Sequence, residues 1–250
     1  MGDFCFCPLH KLHFKLHPGC ILIEEREFKI YLVLEKKHVD RVDISHWLIS
    51  ASLKKGLLQA DKEWLNGDAV TIIIARSDTI APTLFFDFYE LSRSPEQQEI
   101  LLAELRNVDV FDHNMFQRCE HLSALINETV RLHPPVPASG YRQSPPTGIM
   151  INQTYVPGNV TIVAARYSLA RLESAFEYAD QFVLERWTTK PHIVKDPRGF
   201  APFSQGRFNC VVKTPAMREM RLVIAMIVKR FQRLLTDLRD HFAIASSPYQ

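Results

Sequence analysis

The feature that most constrains this chain is a long apolar-rich run from Trp64 to Leu91, closed by Ser94-Pro95. From Asp61 onward the spacing predicts a long helix, broken where the residue before proline is pushed out of helical geometry. Ser94 is placed to cap a second helix, with Pro95 at its first position and Glu96 and Gln97 in its first turn. That helix reads through about Asn107, and a third spans Phe116 to Leu132 before Pro134-Pro135 stops it. Between Pro145 and Ala165 the period changes. Ile149, Ile151, Tyr155, Val160, Ile162 and Val163 lie among Gly148, Pro157 and Gly158, which predicts short strands and turns. Gly199 to Phe208 reads as a loop, and Val211 to Leu235 as a last amphipathic helix with a basic end. The expected fold class is mainly α with a small β-sheet.

Composition excludes several classes. With 30 Lys+Arg against 28 Asp+Glu the net charge is +2, so no nucleic-acid partner is expected. A hydrophobic share of 46% and a charged share of 23% fit a folded globular chain. The longest uninterrupted apolar stretches, such as Leu222 to Val228, are too short to cross a bilayer, and Met1 to Cys20 does not read as a secretory signal. Five cysteines do not describe a disulfide framework. Cys5, Cys7, His10, His13, His17 and Cys20 crowd the N-terminus, but their spacing fits no tetrahedral site, so no zinc is expected. Residues 1–40 read as a poorly ordered leader, and 236–250 as a tail.

Four elements carry chemistry. Phe203-Ser204-Gln205-Gly206-Arg207-Phe208-Asn209-Cys210 runs straight into the last helix, where partial positive charge favours a thiolate. Glu128 and Arg131 lie three apart on one helix face and continue into His133-Pro134-Pro135. Phe182 to Trp187 contains Glu185-Arg186, and Asp78-Thr79 sets an acid beside a hydroxyl in the long helix. Their order and separation over residues 41–235 resemble the C-terminal half of a cytochrome P-450, the haem-thiolate monooxygenase family, most similar to its fungal microsomal-type members.

The resemblance implies haem as cofactor, with Cys210 as axial iron ligand and Phe203, Gly206 and Arg207 shaping the cofactor loop. It implies a buried structural triad of Glu128, Arg131 and Arg186, a catalytic acid–alcohol pair in Asp78 and Thr79, and a propionate-reaching arginine in Arg142. It further implies a small apolar substrate, an NADPH-dependent flavoprotein reductase as partner, and a place at the cytoplasmic face of the endoplasmic reticulum. Without a membrane anchor, the expectation for this chain is cytoplasmic.

Several positions depart from the family pattern. Arg76 and Ile80 replace a glycine and a second hydroxyl of the long helix, and Pro82 removes the N–H that would bond to the carbonyl of Asp78. Phe208 stands two before the cysteine, where a basic residue is normal, and Val212 two after it replaces a glycine. Ala170 replaces a common histidine. The family's N-terminal half is unmatched, so the alternative expectation is a truncated, catalytically inactive remnant.

Overall fold

A computed structural model describes residues 44–57, 60–138 and 140–231; the leader's Cys/His cluster and the C-terminal tail lie outside the described residues. The chain divides into two compact units, residues 1–75 and 76–250. In the first, helix α1 (Ile44–Lys54) leads to the start of α2 (Lys62–Arg93), and the Ser52 hydroxyl donates to Asp61 Oδ2 at 2.7 Å across the intervening turn.

In the second unit, α3 (Pro95–Leu105) follows α2 after one residue. Ser94 holds the capping position, but its side chain makes no capping hydrogen bond. Gln98 instead donates to the Leu91 carbonyl at 2.6 Å, which also accepts from the Ser94 N–H at 3.1 Å at the end of α2. The helix expected from Phe116 to Leu132 is two helices, α4 (His113–Gln117) and α5 (Glu120–Leu132). The break has a physical cause on each side. Asp112 caps α4 by accepting from the N–H groups of Asn114 and Met115. The α5 N-terminus is capped from another helix: Glu104 of α3 accepts from the N–H groups of His121 at 2.8 Å and Leu122 at 2.9 Å.

Two small antiparallel pairs follow. Strand β1 (Arg142–Gln143) pairs with β4 (Thr161–Ile162), setting Arg142 opposite Ile162. Strand β2 (Ile149–Ile151) pairs with β3 (Thr154–Val156) through a tight turn in which Asn152 has φ +52°. After a single turn of helix, α6 (Arg166–Leu169), the chain runs through loops and 3₁₀ turns to α7 (Lys213–Arg230). The last helix ends on Lys229 and Arg230, as the macrodipole favours.

The core lies among α3, α5, α7 and the C-terminal part of α2. Leu101 and Leu105, Leu122, Leu125 and Ile126, Ile224 and Val228, and Leu91 are fully or almost fully buried in it. Each such aliphatic side chain contributes about 1.5–3 kcal/mol over exposure. By length and composition alone, Glu63–Arg93 is long and apolar enough to cross a membrane, which corrects the expectation drawn from short uninterrupted stretches. Ile80 and Leu91 of this helix join the core, while Ile74 and Phe85 are exposed. Glu104→Ala is expected to lower stability by about 1 kcal/mol through loss of the borrowed cap, measured by the urea midpoint.

Candidate functional site

The centre of the second unit is a buried carboxylate. Glu128 accepts five hydrogen bonds: from Arg131 Nε and Nη2, Arg186 Nε and the Val183 N–H, all at 2.9 Å, and from Trp187 Nε1 at 2.8 Å. The guanidinium groups are satisfied in turn by loop carbonyls. Arg131 donates to Ala170, Ala179 and Gln181, and Arg186 to Glu177 and Tyr178. Both arginines also lie over the Phe176 ring, at 5.3 and 5.8 Å. The structure thus gathers Glu128, Arg131 and Arg186 into one network in which a single carboxylate faces two guanidinium groups and loop carbonyls take the other Arg131 donors. Trp187 is its unforeseen member, although it stands next to Arg186 in the sequence. Its ring packs at 4.5 Å on Phe200, just before the cysteine loop.

That loop is closed by the Cys210 N–H donating to the Phe203 carbonyl at 2.8 Å. Phe203 packs against the core, and two residues of the loop take left-handed backbone geometry, Ser204 at φ +63° and Gly206 at φ +74°. Gly206 faces open space, so glycine is favoured there by conformation rather than by room. Cys210 is half-buried and free, three residues before α7. Among the described residues no three His, Cys, Asp or Glu side chains gather to hold a metal ion. A single thiolate suits an iron whose other ligands come from a porphyrin. Val212, directly before α7, has an ordinary φ of −100°. Valine there is unstrained; what it removes is room.

Around the loop stand three arginines. Arg142 of β1 lies over the Phe208 ring at 5.1 Å and Arg207 over the same ring at 5.6 Å, so two cations meet one aromatic ring. Arg166 of α6 donates from Nη1 to the Pro202 carbonyl at 3.2 Å. Burial lowers its pKa, the nearby Cys210 raises it, and Arg142 lowers it again. Sequence reasoning passed over Arg166, because no motif marks it.

The long helix presents Asp78 to solvent, accepting from the Ser77 hydroxyl at 3.3 Å, while Thr79 donates to the Arg76 carbonyl at 3.3 Å. Arg76 turns toward the last helix, where its Nε donates to Glu219 at 2.7 Å. Farther along α2, Asp87 is fully buried facing the Thr129 hydroxyl of α5, yet neither carboxylate oxygen has a hydrogen bond of normal geometry. Burial pushes its carboxyl up to about 7, against a smaller opposing effect of Thr129. The signal was an acid inside the apolar Leu84 to Leu91 stretch.

Comparison with known proteins matches residues 21–244 to the family described as Cytochrome P450. The chain is 37% identical over 201 residues to cytochrome P450 monooxygenase sthD of Phaeosphaeria nodorum, covering 79% of this chain and 42% of that protein. It is 36% identical over 223 residues to tryprostatin B 6-hydroxylase of Aspergillus fumigatus, covering 83% and 40%. It is also 36% identical over 227 residues to cytochrome P450 monooxygenase FCK2 of Fusarium pseudograminearum, covering 84% and 41%. The chain spans about two fifths of the length of these relatives.

Two outcomes follow from the buried charges. Glu128→Gln leaves Arg131 and Arg186 without their counter-charge and should cost about 3–5 kcal/mol by urea unfolding. Asp87 keeps its proton in the folded chain at pH values where the unfolded chain has lost it. Its contribution to stability is therefore full below the ordinary value of 3.8 and lost as pH rises toward about 7. Melting temperatures across that window should fall with pH less steeply in Asp87→Asn than in the unmodified chain.

Proposed function

This chain belongs to the cytochrome P450 family, and we propose that it forms the haem-holding part of a monooxygenase acting on a small apolar molecule. The observation that carries the reading is Cys210: a free, half-buried thiol on a loop closed by its own N–H, directly before α7. In this reading Cys210 would supply the sulfur ligand to the iron, and Arg142 and Arg207 would meet the acidic edge of the porphyrin. Phe203 and Gly206 set the loop's path, and Glu128, Arg131 and Arg186 fix the segment behind it.

What a haem held by thiolate supplies is activation of molecular oxygen, since the sulfur pushes electron density onto the iron and favours O–O cleavage. Asp78 is exposed next to Thr79 on the long helix, the arrangement of an acid–alcohol pair that relays protons from water. Pro82 leaves the Asp78 carbonyl without its helical donor, adding an acceptor at the same turn. Electrons come from an NADPH-dependent flavoprotein reductase at the cytoplasmic face of the endoplasmic reticulum. The fungal relatives, one of them named as a hydroxylase, support hydroxylation in secondary-metabolite biosynthesis.

Arg76, Phe208 and Val212 favour a second reading, a family member that holds haem weakly and does not turn over. One experiment separates the two. Haem is added to the purified chain, which is reduced under carbon monoxide and scanned for the red-shifted Soret band of a thiolate-ligated haem. The expected band disappears in Cys210→Ser while far-ultraviolet circular dichroism is unchanged. A band that survives the substitution, or no band in the unmodified chain, overturns the haem-thiolate assignment. A band without turnover of apolar substrates selects the second reading.

A further inference from the structure

We propose that Arg166 takes over the role left vacant at Phe208: with Arg142 it forms a guanidinium pair that holds the carboxylates of the haem beside Cys210. The inference rests on the haem reading above and names a residue that reading does not use. The basic residue expected two before the cysteine is a phenylalanine here, with a largely exposed ring covered by Arg142 and Arg207. Arg166 reaches the same loop from another element. Its Nη1 donates to the carbonyl of Pro202, the residue preceding Phe203, and this bond holds the guanidinium against the loop's entrance.

The neighbourhood is arranged by the small sheet. Pairing of Arg142 with Ile162 brings β1 beside the chain that leads within four residues to Arg166. The Pro202 carbonyl that holds Arg166 stands one residue before the Phe203 carbonyl that accepts from the Cys210 N–H, so the guanidinium lies at the neck of the cysteine loop. Among the described residues no carboxylate pairs with Arg142, Arg166 or Arg207, although Arg131, Arg171, Arg186 and Arg198 all have such partners. Like charges gathered without a counter-ion disfavour one another, and a half-buried one is further disfavoured by lost hydration. A ligand bearing two carboxylates relieves both, and planar guanidinium groups suit carboxylates through paired hydrogen bonds. Iron protoporphyrin carries two such groups.

The test titrates the full chain with iron protoporphyrin IX and, separately, with its dimethyl ester, following the Soret absorbance. The unmodified chain is expected to bind the free acid roughly tenfold more tightly than the ester. Arg166→Gln should lose about that factor for the acid and nothing for the ester, which brings the two affinities together. Arg166→Lys keeps the charge without the fork and should fall between them. Equal losses for acid and ester in Arg166→Gln would mean that the arginine only props the loop through Pro202, and the proposal fails. No loss for either ligand also overturns it. If the unmodified chain gives no thiolate-type spectrum with either ligand, the haem reading itself fails and takes this one with it. Thermal unfolding of each variant without ligand identifies any that fail to fold, and Arg166→Lys then carries the comparison.

Discussion

Everything in the second unit depends on one buried carboxylate. Glu128 is wholly removed from water and is tolerable there only because five donors surround it. Those donors come from α5 and from the chain around Val183 to Trp187. Through Arg131 and Arg186 the charge extends to the carbonyls of Ala170, Glu177, Tyr178, Ala179 and Gln181. That stretch has little regular secondary structure, so its backbone polar groups have few ladder partners. The arginines supply those partners. Trp187 then transmits the position of the network to Phe200, and the cysteine loop begins three residues later.

The helical layout was legible because proline and apolar periodicity act locally. Pro95 and Pro134 mark the same boundaries in the structure as in the sequence, and the strand region opens into two hairpin-like pairs as its spacing implied. The break between α4 and α5 was not legible, since it depends on Glu104, a residue of a different helix. The convergence of Glu128, Arg131 and Arg186 could be expected only from the family resemblance, because nothing local joins residues 128 and 186. Asp87 and Arg166 were missed for opposite reasons. Asp87 is conspicuous in an apolar stretch but belongs to no motif, whereas Arg166 is an ordinary exposed-type residue made significant by its neighbours.

The departures from the family pattern are each accommodated. Arg76, placed where a glycine is usual, finds Glu219 on α7 and so joins the helix of the acid–alcohol pair to the helix that follows the cysteine. Phe208 gains two cations over its ring in place of the positive charge it lacks. Val212 adopts a backbone conformation open to any residue. The residues at these positions are thus compatible with the fold around them.

The cap that α3 lends to α5 also bears on how the chain opens locally. The first turn of α5 has open N–H groups until Glu104 arrives, so this most deeply buried helix is not autonomous. Opening the end of α3 would also uncap the start of α5, so the two share one local opening. Stability of the start of α5 is therefore tied to that of α3.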